Sequence, residues 1–176
     1  MTRGDSITTH LVIPDVQSKP DVPNQHMKWV GNFIVDKLPD VIICIGDFAD
    51  MPSLSSYDRG KKSFEGRTYR ADIESANTAL SILHGPIDRL NAGRRKRKKA
   101  PYKPRLVMTL GNHENRINRA IEEDRKLDGT ISIDDLDYKK RGWKVHDFLE
   151  VVVIDGVAYS HYFTSGEKGL PINTAR

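Results

Sequence analysis

The stretch Val41-Ile42-Ile43-Cys44-Ile45-Gly46-Asp47-Phe48-Ala49-Asp50 runs an unbroken apolar segment into a glycine and two carboxylates. An apolar run without alternation is the pattern of a strand buried on both faces, as in a parallel sheet covered on each side. Glycine lets the backbone turn sharply at the strand end. Ligands of open α/β sheets bind outside the carboxyl ends of their strands. The stretch therefore predicts an α/β fold and puts Asp47 and Asp50 on the edge where a site belongs.

The same arrangement recurs on either side. Residues 8–13 read as a short strand stopped by Pro14 and followed by Asp15-Val16-Gln17. Residues 24–37 read as a helix, with Met27, Val30, Phe33, Ile34 and Leu38 at helical spacing. Residues 51–68 are polar and read as a long loop. Ile73, Ala76, Leu80, Leu83, Ile87 and Leu90 then share one helical face. Gly85-Pro86 falls inside that pattern without disturbing its phase, which predicts a bend in the helix and not a break. Residues 105–110 form the third apolar strand, closed by Gly111-Asn112-His113-Glu114, and 116–127 a charged surface helix. Residues 149–154 and 157–161 flank Asp155-Gly156, a strong hairpin signal. The order βαβαβα plus a hairpin predicts a mainly parallel β-core flanked by helices, in a single domain over residues 1–176.

Composition sets the class. With 176 residues, 38% of them hydrophobic and 30% charged, the chain is long enough for one domain with its own core. No run approaches the roughly 18–20 apolar residues of a membrane helix, and the first residues lack a signal-peptide core. A single cysteine, Cys44, excludes an intramolecular disulfide and fits a reducing cytoplasm. Its apolar neighbours predict a buried, inert thiol. The net charge of +4 conceals an asymmetry: residues 94–105 hold eight Lys and Arg and no acid, which leaves −4 for the remainder. That basic loop invites a nucleic-acid reading. It precedes the third strand, however, and so belongs to the sheet edge opposite the motifs; a solvated loop is the expectation.

The motifs themselves describe a site for divalent cations. Hard ions take several oxygen donors, one carboxylate able to bridge, and some imidazole. Asp15 and Gln17 stand two apart and can face one ion. Asp47 follows the turn glycine, Asn112 offers an amide oxygen, and His161 an imidazole from the hairpin. Singly, Asp15 and Asp50 read equally well as turn and cap residues, and His161 more readily as an ordinary sheet histidine. As an ordered set they do not. His10, His26, His84 and His146 match no motif and receive no role.

In these residues the chain resembles the calcineurin-like metallophosphoesterase superfamily, whose signature is Asp-x-His, Gly-Asp-x-x-Asp, Gly-Asn-His-Glu/Asp, a lone His and Gly-His-x-His. Here Asp15-Val16-Gln17, Gly46-Asp47-Phe48-Ala49-Asp50, Gly111-Asn112-His113-Glu114 and Ser160-His161 follow in that order. The resemblance implies a metallophosphoesterase-type sandwich and a dinuclear hydrolase of phosphomonoesters or phosphodiesters. It implies that Asp15, Gln17 and Asp47 hold one metal, and that Asp47 bridges to a second bound by Asn112 and His161. It makes His113 the general acid and Asp50 its carboxylate partner. Gln17 in place of histidine favours Mn²⁺ or Mg²⁺ over Zn²⁺ or Fe. Gly-His-x-His is absent up to Arg176, so the expectation is a truncated form or a degenerate site, with residues 169–176 read as the start of a further helix. Arg59, Lys61, Lys62, Arg67, Arg70 and Arg116 leave the catalytic edge and are the substrate-facing candidates. They favour a nucleotide or nucleic acid as substrate. The alternative is a non-catalytic nucleic-acid-binding module whose metal site has decayed.

Overall fold

The computed structural model describes residues 7–58, 60–165 and 170–171. At its centre β1 (His10–Ile13), β2 (Val41–Cys44), β3 (Arg105–Thr109) and β4 (Lys144–His146) lie side by side in chain order, all parallel. Ile13 pairs with Cys44 and Cys44 with Met108, so the first strands end level at one edge. β4 carries no signal in the sequence. Lys144-Val145-His146 is short and polar at both ends, and becomes a strand because Val107, Met108 and Thr109 offer it a free edge.

Helix α1 (Gln25–Lys37) begins one residue later than the expected start at Asn24 and stops at Leu38, whose left-handed backbone (φ 49°) returns its N–H to Ile34. Helix α2 (Tyr69–Lys96) is capped by Thr68, whose side chain accepts the Ala71 N–H. It continues through the buried Pro86, in agreement with the undisturbed phase. The basic segment needs correcting, because Arg94, Arg95 and Lys96 form the last turn of α2 and not a loop. Cations there meet the negative end of the helix dipole. Helix α3 (Asn115–Glu123) ends four residues short of the predicted 127. Asp124 is extended, and its side chain takes the Lys126 N–H to start a separate 3-10 turn, Arg125–Leu127.

Alternation along the strands divides the core in two. Ile42, Cys44 and Met108 pack with Met27, Ile34, Leu80 and Leu83 on the helical side. Val41, Ile43 and Val107 pack with Val152, Ile154 and Tyr159 on the other. Those last residues belong to the antiparallel hairpin β5 (Val152–Ile154) and β6 (Val157–Tyr159). Asp155 and Gly156 turn it at φ 48° and 79°. The result is a mixed α/β protein with α1 and α2 over one face of the sheet and the hairpin over the other. β7 (Thr164–Ser165) pairs antiparallel with β8 (Leu170–Pro171). The predicted helix start is therefore a strand at 170–171, where proline is tolerated in so short an edge ladder; its remaining residues lie outside those described. The segment leading into β3 does sit at the far edge of the sheet, with the Tyr102 hydroxyl donating to Pro39 O at 2.6 Å. Among the described residues no helix is long and apolar enough to cross a membrane.

Candidate functional site

The turns after β1 and β2 are stitched together by their own backbones. Gln17 N–H donates to Asp47 O at 2.8 Å, Ser18 N–H to Phe48 O at 2.8 Å, and Asp50 N–H to Ser18 O at 2.9 Å. Gly46 takes φ 97°, and Asp47 itself sits at φ 49°. A Cβ on Gly111 would collide with the Asp47 backbone nitrogen and carboxylate, so only glycine lets the third turn close on the second. Glu114 ties them further. Its fully buried carboxylate accepts the backbone N–H groups of Asp47 (3.0 Å), Ala49 (2.9 Å) and Gly111 (2.9 Å) and the Tyr138 hydroxyl (3.1 Å). Burial pushes the Glu114 carboxyl up from its ordinary value, and the Ala49 and Gly111 N–H groups oppose that rise.

Asp47, Asn112 and His161 then converge. His161 Nε2 lies 2.9 Å from Asn112 Oδ1 and 3.6 Å from Asp47 Oδ2. Its Nδ1 stands 2.8 Å from Ile45 O, an atom that can only accept, so Nδ1 carries a proton. Nε2 and Asn112 Oδ1 face each other beside the Asp47 carboxylate, a grouping that a cation, whether proton or metal ion, would satisfy. Donors that share one divalent ion at about 2.0–2.2 Å stand roughly 3 Å apart. A histidine whose second nitrogen donates to a backbone carbonyl is the usual orientation of a ligand. These residues fit a divalent metal.

Asp15 and Gln17 are exposed on the adjoining loop, and their side chains make no hydrogen bond or ion pair among the described residues. Neither side chain is hydrogen-bonded to Asp47, Asn112 or His161, although the Gln17 backbone N–H donates to Asp47 O. The Asp15 charge is felt at Cys44, whose thiol is pushed up by burial and then by Glu114, Asp15 and Asp47. Among the described residues, no group of three or more His, Cys, Asp and Glu side chains could by itself hold a metal. Any donor set here would also draw on an amide oxygen, such as Asn112 Oδ1 beside His161. No family model and no curated protein matches the chain.

Beside these donors His113 Nδ1 stands 2.8 Å from Asp50 Oδ1, and its Nε2 3.8 Å from Asp47 Oδ2. The His113 backbone N–H donates to Asp47 Oδ1 at 2.9 Å, which fixes where the ring begins. Burial alone would raise the Asp50 carboxyl; His113 and Lys19, the latter at 3.3 Å, hold it below the ordinary value. Arg116 donates to Asp50 O at 2.8 Å and braces that turn.

The substrate-facing candidates separate. Arg67 and Arg116 line a cavity that Asp50 also borders. Arg70 is bound to Glu74 at 2.8 Å along its own helix, and Lys61 lies over the Tyr57 ring at 4.2 Å. Lys62 opens a short 3-10 turn and is exposed, and Arg59 lies outside the described residues. Sequence reasoning passed over Glu114, although it stands in the quoted motif, because nothing in a sequence marks a carboxylate that collects backbone donors. It also passed over Lys19 and Tyr138, which reach the site from a loop and a turn without pattern.

Proposed function

We propose that the chain is a phosphoester hydrolase dependent on divalent metal, Mn²⁺ or Mg²⁺, with the sandwich architecture of the metallophosphoesterases. The observation that carries this reading is the convergence of Asp47 Oδ2, Asn112 Oδ1 and His161 Nε2, with Nδ1 of His161 spent on Ile45 O. Asp15 and Gln17 would join Asp47 at a second ion. Divalent ions held there supply Lewis-acid neutralisation of phosphoryl charge and a water of lowered pKa. The residues do the rest. Asp50, ionised at neutral pH, stands 2.8 Å from Nδ1 of His113 and orients the ring. His113 then presents Nε2–H toward the site and gives that proton to the departing alcohol oxygen. Glu114 keeps the turns after β2 and β3 at one spacing, so acid and donors do not drift apart. The basic cluster at the opposite edge takes no part.

Asp47→Asn tests the reading directly. Loss of an outer-shell partner costs a metal site about 10–100-fold, so neutralising the central carboxylate should weaken Mn²⁺ binding by at least about 100-fold in calorimetric titration. Unchanged Mn²⁺ affinity in a folded variant would remove Asp47 from the metal site.

A further inference from the structure

A cavity of about 680 Å³ opens beside the general acid, and its wall is shared with the site through Asp50 and Arg116. Its cations are Lys19, Arg67 and Arg116; its acids are Asp21, Asp50, Glu65 and Asp72. Asp72 lies at the floor, 1% exposed, with Oδ2 accepting the Ser53 N–H at 2.9 Å. Its other oxygen, Oδ1, is buried and has no hydrogen-bond partner among the described residues. A buried polar atom left unpaired costs free energy until something satisfies it. Burial also pushes the Asp72 carboxyl up, against the Ser53 hydrogen bonds, and the nearby Asp50 charge adds to the rise.

The lining discriminates between kinds of alcohol. Among the described residues lining it, the apolar part is Pro20, Pro52 and Ala71, which offers no floor for an acyl chain. A second phosphate would meet carboxylates along with the cations. A hydroxyl, in contrast, both donates and accepts, and the wall carries carboxylates and cations together. Drug-sized and cofactor-sized ligands occupy cavities of about 300–1,000 Å³, so a sugar ring fits. We propose that this cavity receives the leaving group of the substrate, and that this leaving group is a neutral polyhydroxylated alcohol: a sugar, free or as part of a nucleoside. The proposal rests on the hydrolase reading for which oxygen departs, and on the Asp72 floor and charge balance for what is recognised.

The test uses the 176-residue chain with Mn²⁺ and three monoesters of primary alcohols, glucose 6-phosphate, adenosine 5′-monophosphate and ethyl phosphate. Similar leaving-group basicity makes any preference a report on the cavity. A site built to bond hydroxyls rejects analogues lacking them by large factors. At least one of the two sugar esters should therefore exceed ethyl phosphate about 100-fold in kcat/KM, and which one does so separates hexose from nucleoside. In Asp72→Asn and in Arg67→Ala that preference should fall to about tenfold or less; Arg67 lies on the wall, so its variant stands in if the Asp72 variant misfolds. Equal turnover of all three esters would overturn the cavity and leave the hydrolase standing. Amide-shift mapping with glucose 6-phosphate and with the nucleotide, without metal, gives the separate readout. Shifts at 19–21, 65–72 and 116 without turnover of any ester would keep the cavity and sink the hydrolase. No shift there with either compound would overturn the cavity whatever the kinetics.

Discussion

His113 is placed by its backbone before its side chain matters. Its N–H donates to Asp47 Oδ1 and its Nδ1 stands 2.8 Å from Asp50 Oδ1, so the imidazole lies between two carboxylates. In His113→Ala both anchoring carboxylates remain, and turnover should fall about 10²- to 10⁴-fold, the ordinary contribution of a positioned general acid. The loss should be greatest for esters of poorly acidic alcohols, which need the proton most. Mn²⁺ affinity should stay within a few-fold. A variant that lost its metal instead would make His113 a ligand, and steady-state kinetics beside a metal titration decides between the two. At this scale the sequence names the residue types and their order. That His161 spends Nδ1 on Ile45 O is invisible in it, because residues 45 and 161 meet only through the packed hairpin.

Among the elements, α2 carries a group that the motifs ignore. His84 is buried beneath the turn before β4 and accepts a hydrogen bond from Trp143 Nε1 at 2.9 Å. Burial, reinforced by Arg141 and opposed by Asp88, pushes its pKa down to about 4. The neutral ring is therefore the one the fold selects. Between about pH 6.5 and pH 4 the unfolded chain binds a proton at His84 and the folded chain does not, so stability falls as pH falls through that window. A depression from 6.5 to about 4 corresponds to roughly 3 kcal/mol. His84→Gln, which keeps an acceptor for Trp143, should flatten that part of the profile in urea unfolding followed from pH 7 to pH 4. An unaltered slope would assign the dependence to other groups. The helices were legible because apolar spacing is a property of one segment. β4 was not, because its strand character comes from the edge that β3 offers.

For the whole molecule the hairpin is the third layer. Val152, Ile154 and Tyr159 seal the face of the sheet that α1 and α2 leave open, and the same strand leads directly to Ser160 and His161. Ile154 is 2% exposed, and truncating a buried isoleucine costs about 2–5 kcal/mol. Ile154→Ala should lower unfolding stability by that amount in denaturant titration. It should also weaken Mn²⁺ binding, since loosening the hairpin frees His161 from Ile45 O. A variant with the stability loss and unchanged metal affinity would show that His161 is held independently of the layer above it.

Local chemistry by itself determined the apolar strands, the helical faces, the hairpin turn and the order of the polar motifs at the strand ends. Each depends on residues within one segment or on parallel strands ending at a common edge. Only the tertiary structure decided which donors meet. Asp47, Asn112 and His161 converge because two glycine-bearing turns close on each other and a buried Glu114 collects their backbone N–H groups. Arg67 lines a cavity and Arg70 does not, although both are cations on one short stretch, because α2 begins between them and ties Arg70 to Glu74. Side-chain direction is set by the frame around a residue, and that frame is assembled from segments far apart in the chain.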